Sequence, residues 1–177
     1  MHSPFFMSTP YLYEMQVARI HWKNLPAHAR VWVYQADRPL ADDEAEAIQR
    51  AGERFVDGWS SHGQDMEAAF QVFHNRFLVV FADEEQAKAS GCGIDRSVHF
   101  IQDVGQQLDI DFFDRMTLCY EEGESLRTIS LTDIPDAINE GRVDASTPFF
   151  DNLVQTKGEL SEAWTKPMGE GWTSRYF

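Results

Sequence analysis

Lysine is scarce in this chain: Lys23, Lys88, Lys157 and Lys166 are the only four among 15 basic residues, set against 29 acidic ones. The resulting net charge of −14 repels phosphate backbones and anionic lipids, so neither nucleic acid nor a membrane surface is an expected partner. An acidic, lysine-poor composition suits a salt-rich cytoplasm, where counterions screen self-repulsion. Cysteine is equally sparse. Cys92 and Cys119 are too few for a disulfide framework, and both are expected as reduced thiols. There is no CxxC, no HExxH and no second Cys or His at ligand spacing, so no metal or cofactor is expected from motifs. The start MHSPFFMSTPYLYEMQ lacks a basic cluster and a long apolar run, and Glu14 interrupts it. Neither a signal peptide nor a membrane anchor is expected there, and a cytoplasmic location follows.

What is present is core-forming material: 43% of the 177 residues are hydrophobic and 13% aromatic, enough for one domain with a real core. Residues 1–27, with Pro4, Pro10 and Pro26, read as a lead-in to a single α+β domain over 28–177. VWVYQ (31–35) is β-branched and aromatic and predicts a strand. Asp42 offers a helix cap, and the apolar spacing Ala45, Ile48, Phe55, Val56 predicts a helix over 43–58. Two extended runs meet at His74-Asn75, the second being FLVVF, whose unbroken apolar character predicts a strand buried on both faces. Ile94, Val98, Ile101, Val104 and Leu108 mark a second helix. A hairpin through Glu121-Glu122-Gly123-Glu124, a short helix closing at Gly141 and a capping box at Thr156-Lys157-Gly158-Glu159 complete the chain. The order β-α-β-β-α-β predicts a ferredoxin-like core, extended by a hairpin and C-terminal helices.

The combination WVYQADRPL (32–40), WSSHGQD (59–65), NRFLVVFADE (75–84), ASGCGIDRSV (89–98), FFDR (112–115) and FFDNLVQTK (149–157) resembles an uncharacterised bacterial family whose members are often labelled ABC transporter ATPases. The resemblance covers about residues 28–177 and implies no known activity. A P-loop requires Gly-Lys, because a lysine must reach the terminal phosphates that the backbone amides cradle. This chain has no Gly-Lys dipeptide, so P-loop ATP hydrolysis is not expected of it.

Gly91-Cys92-Gly93 invites three readings. As a dinucleotide fingerprint it fails, since the third glycine of G-x-G-x-x-G falls on Arg96. As a nucleophile, Cys92 at a helix start gains from the dipole and from Arg96, is opposed by Asp95, and needs a base such as His62. As plain structure, the glycines supply a turn with positive φ around a small residue. His62 with Asp65 lacks the further ligands of a metal site and reads as a turn pair. Asp114 and Arg115 read as a pair across a sheet. Asp151-Asn152, after an aromatic run, is the expected place for polar groups lining a cleft. The expected function is a non-catalytic module that binds a small molecule or a protein through Gly91, Gly93, Asp95, Arg96, Asp151 and Asn152, with a homodimer through an open sheet edge as a further possibility. The alternative is a thiol-dependent enzyme with Cys92 as nucleophile and His62 as base.

Overall fold

The computed structural model describes residues 20–61, 64, 65, 67–85, 89 and 91–177. The class is α+β. A three-stranded antiparallel sheet has β5 (Phe77–Asp83) at its centre, between β1 (Arg30–Gln35) and β4 (Glu67–Phe73). β2 (Ser60–Ser61) and β3 (Gln64–Asp65) make a minimal ribbon ahead of β4. A four-stranded sheet runs in the order β7 (Ser125–Ser130), β6 (Thr117–Glu122), β8 (Pro148–Phe150), β9 (Thr165–Pro167). Four α-helices, α1 (Asp42–Asp57), α2 (Gly91–Leu108), α3 (Ile134–Asn139) and α4 (Lys157–Ala163), cover these sheets.

The alternation of β5 sets the layering. Leu78, Val80 and Ala82 face one way, into a cluster with Ile48 and Val56 of α1 and Ile101 and Val104 of α2. Phe77, Val79 and Phe81 face the other way, toward Cys119 of β6, Phe150 of β8 and Leu160 of α4. Every residue from Phe77 to Ala82 is fully buried, as the unbroken apolar run predicts. Behind the second sheet, Leu118, Tyr120 and Phe149 pack on Ile134 and Ala137 of α3 and on Met168. The C-terminal Trp172 and Tyr176 lie against that cluster, as their apolar character leads one to expect.

Local signals explain the connections. His74 and Asn75 both adopt positive φ (53° and 47°), and Arg76 N donates to Phe73 O at 3.0 Å to close the hairpin. Gly141 (φ 72°) ends the α3 region. Thr156 Oγ1 accepts from Glu159 N, and Glu159 Oε2 accepts from Thr156 N at 3.3 Å, the reciprocal capping box expected at the start of α4. At α1 the cap moves by one residue: Ala41 holds the cap position, and Glu44 Oε2 accepts from its N–H at 2.9 Å.

Two expectations are corrected. Gly91 and Gly93 do not form a positive-φ turn; they are the first turn of α2. Gly-x-Gly is a poor helix former, yet Gly93 is buried and its carbonyl accepts the Trp59 indole N–H at 3.0 Å, so tertiary packing overrides propensity. The order β1-β5-β4 is that of three ferredoxin-like strands, but the fourth strand, β6, does not pair with β1. Both edges of β6 are taken, by β7 along its whole length and by β8 at Tyr120–Phe149. Among the described residues the hydrogen bond from β1 to β6 comes from a side chain: Gln35 Nε2 donates to Thr117 O at 3.1 Å.

Candidate functional site

The missing pairing leaves a gap. Arg30 bridges to Thr156, and Val31 N donates to Gln155 O at 2.9 Å, so the first two residues of β1 are covered from outside the sheet. Val33 turns its N–H and C=O to that same side two residues on, and among the described residues nothing pairs with them. Alongside this free edge runs a cleft of about 740 Å³, within the range of small-molecule sites. Its lining includes Trp32 and Tyr34 of β1, Ile94 and Val98 of α2, Thr117 and Leu118 of β6 and Phe150 of β8.

The rim is apolar and open. Phe113 is 37% exposed and Leu153 66%, two of the four large hydrophobic residues that the described structure leaves to solvent. The Phe113 ring meets Tyr34 edge-on with centroids 5.5 Å apart. The Arg30 guanidinium lies over the Trp32 ring, 4.7 Å from its centroid. Burial pushes the Tyr34 phenol up from its ordinary value, partly offset by a hydrogen bond with Ser97 and the charge of Arg115. Tyr34 therefore offers a neutral phenol at neutral pH. Ser97 is itself buried and donates to Ile94 O at 2.7 Å.

Arg115 stands at the mouth. The expected pairing with Asp114 does not form: that carboxylate accepts from Met116 N at 2.7 Å and from the Thr117 hydroxyl. Arg115 is exposed and, among the described residues, makes no ion pair.

Of the residues singled out in the sequence, Asn152 lines this cleft, but as part of a relay. Its Nδ2 donates to Gln35 Oε1 at 3.1 Å and its Oδ1 accepts from Trp164 Nε1 at 3.0 Å. The relay ties β1, the β8–α4 connection and, through Gln35, β6 into one unit around a buried amide. Asp151 is buried and fully engaged, by Lys166 Nζ at 2.8 Å, Trp172 Nε1 at 3.3 Å and Leu153 N at 3.2 Å. Its role is to anchor the start of that connection.

The other residues lie apart. Cys92 is exposed on the first turn of α2 and does not line the cleft, so the structure does not bring Cys92 and Asn152 into one concavity. His62 lies outside the described residues. Asp95 is exposed, and Arg96 donates to Gly58 O at 3.2 Å, fastening α2 to the end of α1. Cys119 is buried between the sheets, where desolvation pushes its thiol up to about 11 and leaves it a core residue. Trp32, Tyr34 and Leu153 carry no signal as site residues in the sequence, and Arg115 is read there only as the partner of Asp114. FFDR carried a faint signal, three bulky or charged groups beside a carboxylate, but its reading depended on where β6 would pair.

No family model matches the chain, and neither a curated protein nor a solved structure matches it.

Proposed function

We propose that this chain is a binding module whose cleft along β1 holds a small molecule with an aromatic or apolar body and an anionic group. The observation that carries the reading is Arg115: a guanidinium at the mouth of an aromatic cleft with no ion pair among the described residues, in a chain of net charge −14. With two arginines, Arg30 and Arg115, against one carboxylate, Asp114, the lining has the opposite sign from the rest of the molecule. A cleft with low-dielectric walls focuses such a field onto an incoming anion. Trp32, Tyr34, Phe113 and Trp172 supply ring faces for the body of the ligand, and the Val33 amide, unpaired among the described residues, supplies a fixed donor. Among the described residues lining the cleft there is no cysteine and no histidine to act as nucleophile or base, which favours binding over covalent chemistry.

The test is a fluorescence titration with the aromatic sulfonate 1-anilinonaphthalene-8-sulfonate, with near-UV circular dichroism showing that the protein stays folded. Wild-type protein is expected to bind one dye saturably. Arg115→Glu is expected to weaken it by about tenfold or more, since it replaces attraction by repulsion at about 1.4 kcal/mol per decade. Leu153→Asp, at an exposed site, is expected to weaken it without changing the unfolding midpoint. Equal affinity in wild type and both variants would overturn the reading.

A further inference from the structure

We propose that His28, Asp83 and Glu85, just ahead of β1 and at the end of β5, form a site for a divalent first-row cation of the zinc type. His28 Nε2 lies 3.3 Å from Asp83 Oδ1 and 3.9 Å from Glu85 Oε2, and the three donor atoms all fall within 4.8 Å of one another. Bonds of about 2.1 Å in a tetrahedral shell place neighbouring donors about 3.4 Å apart. The His28–Asp83 pair already has that spacing. The Glu85 carboxylate, 71% exposed and within 4.8 Å of the other two donors, closes on them by rotating its side chain, and water completes the shell.

The backbone that carries the donors is held in place. His28 sits in a turn closed by Ala29 N donating to Pro26 O at 3.0 Å. The chain on each side of it is clamped by the start of α4: Gly158 N donates to Ala27 O and Lys157 N to Ala29 O, both at 2.8 Å. A Cβ at position 158 would come within 3.3 Å of Ala27 O, a tight contact that glycine avoids. Asp83 ends β5 with its side chain only 11% exposed, and its Oδ1 accepts from Glu85 N at 3.0 Å, which folds Glu85 back toward the same point. Glu84 between them turns away, accepting from Ala89 N at 3.0 Å and meeting Arg30 at 3.6 Å. The nearest guanidinium is thereby occupied elsewhere and does not compete for the site.

A plain histidine–carboxylate pair accounts for less of this geometry. One imidazole N–H satisfies one carboxylate; at 3.9 Å the second is beyond hydrogen-bond reach, and the two carboxylates are left repelling each other. A neutral imidazole and two carboxylates carry −2, which a divalent cation balances. One nitrogen and two oxygen donors with open positions suit zinc and its first-row neighbours better than calcium or magnesium. Bound metal would fasten the turn ahead of β1 to the end of β5, stiffening the strand that floors the cleft.

The experiment is calorimetric titration of the full-length, chelator-treated protein with ZnCl2, comparing wild type with His28→Gln, Asp83→Asn and, as a control, His21→Gln. The expected result is one saturable equivalent in wild type and control, at least tenfold weaker binding in both site variants, and a thermal midpoint that zinc raises only in wild type and control. Should Asp83→Asn fail to give a native circular dichroism spectrum, Glu85→Gln, at an exposed position, takes its place. Unchanged zinc affinity in the site variants, or no saturable binding by the folded wild-type chain at millimolar metal, would overturn the proposal.

Discussion

The two edges of the three-stranded sheet are treated differently. At the β4 edge, a side chain of α1 takes the place of a neighbouring strand: Gln49 Nε2 donates to Phe70 O at 3.1 Å, and its Oε1 accepts from Val72 N at 2.8 Å. Only a hollow of about 130 Å³ remains between α1 and β4. At the β1 edge, residues 155 and 156 cover the first two positions, and beyond them the strand borders a cleft of about 740 Å³. An unpaired edge invites another chain to add to it, and natural sheets suppress that by capping or covering. Here β4 is capped, and β1 is instead set between α2 and the second sheet, where flanking walls restrict what can reach it. A small ligand fits that arrangement better than a second sheet does.

Breaking the capped edge gives the largest effect. α1 reaches β4 because Gly52, one turn after Gln49, has no side chain; a Cβ there would lie 2.1–2.4 Å from three atoms of the Phe70 ring. Phe70 is buried, so the ring has nowhere to go. Overpacking of this kind costs roughly 1–3 kcal/mol or more, against about 1 kcal/mol gained from helix propensity when alanine replaces glycine. Gly52→Ala is expected to lower stability by about 2 kcal/mol in chemical denaturation, with dye binding in the β1 cleft retained. A stability increase would mean that α1 does not approach β4 this closely.

Gln49→Leu acts on the cap itself. It leaves Phe70 O and Val72 N without their side-chain partner while keeping the volume of the helix face. Because the edge is partly open to water, the loss is expected near 1 kcal/mol rather than at the upper limit for a buried orphan group. A second readout is sharper: sedimentation should show stronger concentration-dependent association than wild type, since β4 then presents a bare edge. Stability and association both unchanged would remove the contrast between the two edges.

The contrast also marks what could be read from the chain and what could not. FLVVF and the box at Thr156–Glu159 were legible because each signal is local: an apolar run inside seven residues, two reciprocal bonds inside four. Gly91-Cys92-Gly93 misled because its helical state depends on Trp59, 34 positions earlier, donating to Gly93 O. The cleft was hidden for the same reason on a larger scale. It exists because β8 occupies β6, leaving β1 without its fourth-strand neighbour, and the partner that decides this, Phe149, lies beyond a hairpin and a short helix. Asn152 was placed at a cleft for a sound reason, its position after an aromatic run. Its relay through Gln35, 117 positions away, leaves no trace in spacing. His28 and Asp83, separated by 55 positions, are equally silent as a pair in the sequence.

The smallest expected effect concerns how α1 is anchored so that Gln49 meets β4 in register. Arg38 donates to both oxygens of Glu44, at 2.7 and 2.8 Å, and also to Leu108 O at 3.1 Å, so one guanidinium joins the start of α1 to the end of α2. The Arg38 hydrogen bonds, followed by the N–H of Ala41, hold the Glu44 carboxyl down at about 2, from an ordinary 4.5. A carboxyl whose pKa is lower in the folded state contributes stability that is fully present above its unfolded value and lost as pH falls through its folded value. The contribution of Glu44 should therefore hold above about pH 4.5 and disappear on descending toward pH 2. The clamp lies at the surface, so salt screening keeps the effect modest. Glu44→Gln is expected to be slightly less stable than wild type at neutral pH, with the two unfolding curves converging between pH 4.5 and 2. A difference that stays constant across that interval would show that Glu44 supports α1 through packing alone, and the register of the capped edge would then rest on Gly52 and Phe70.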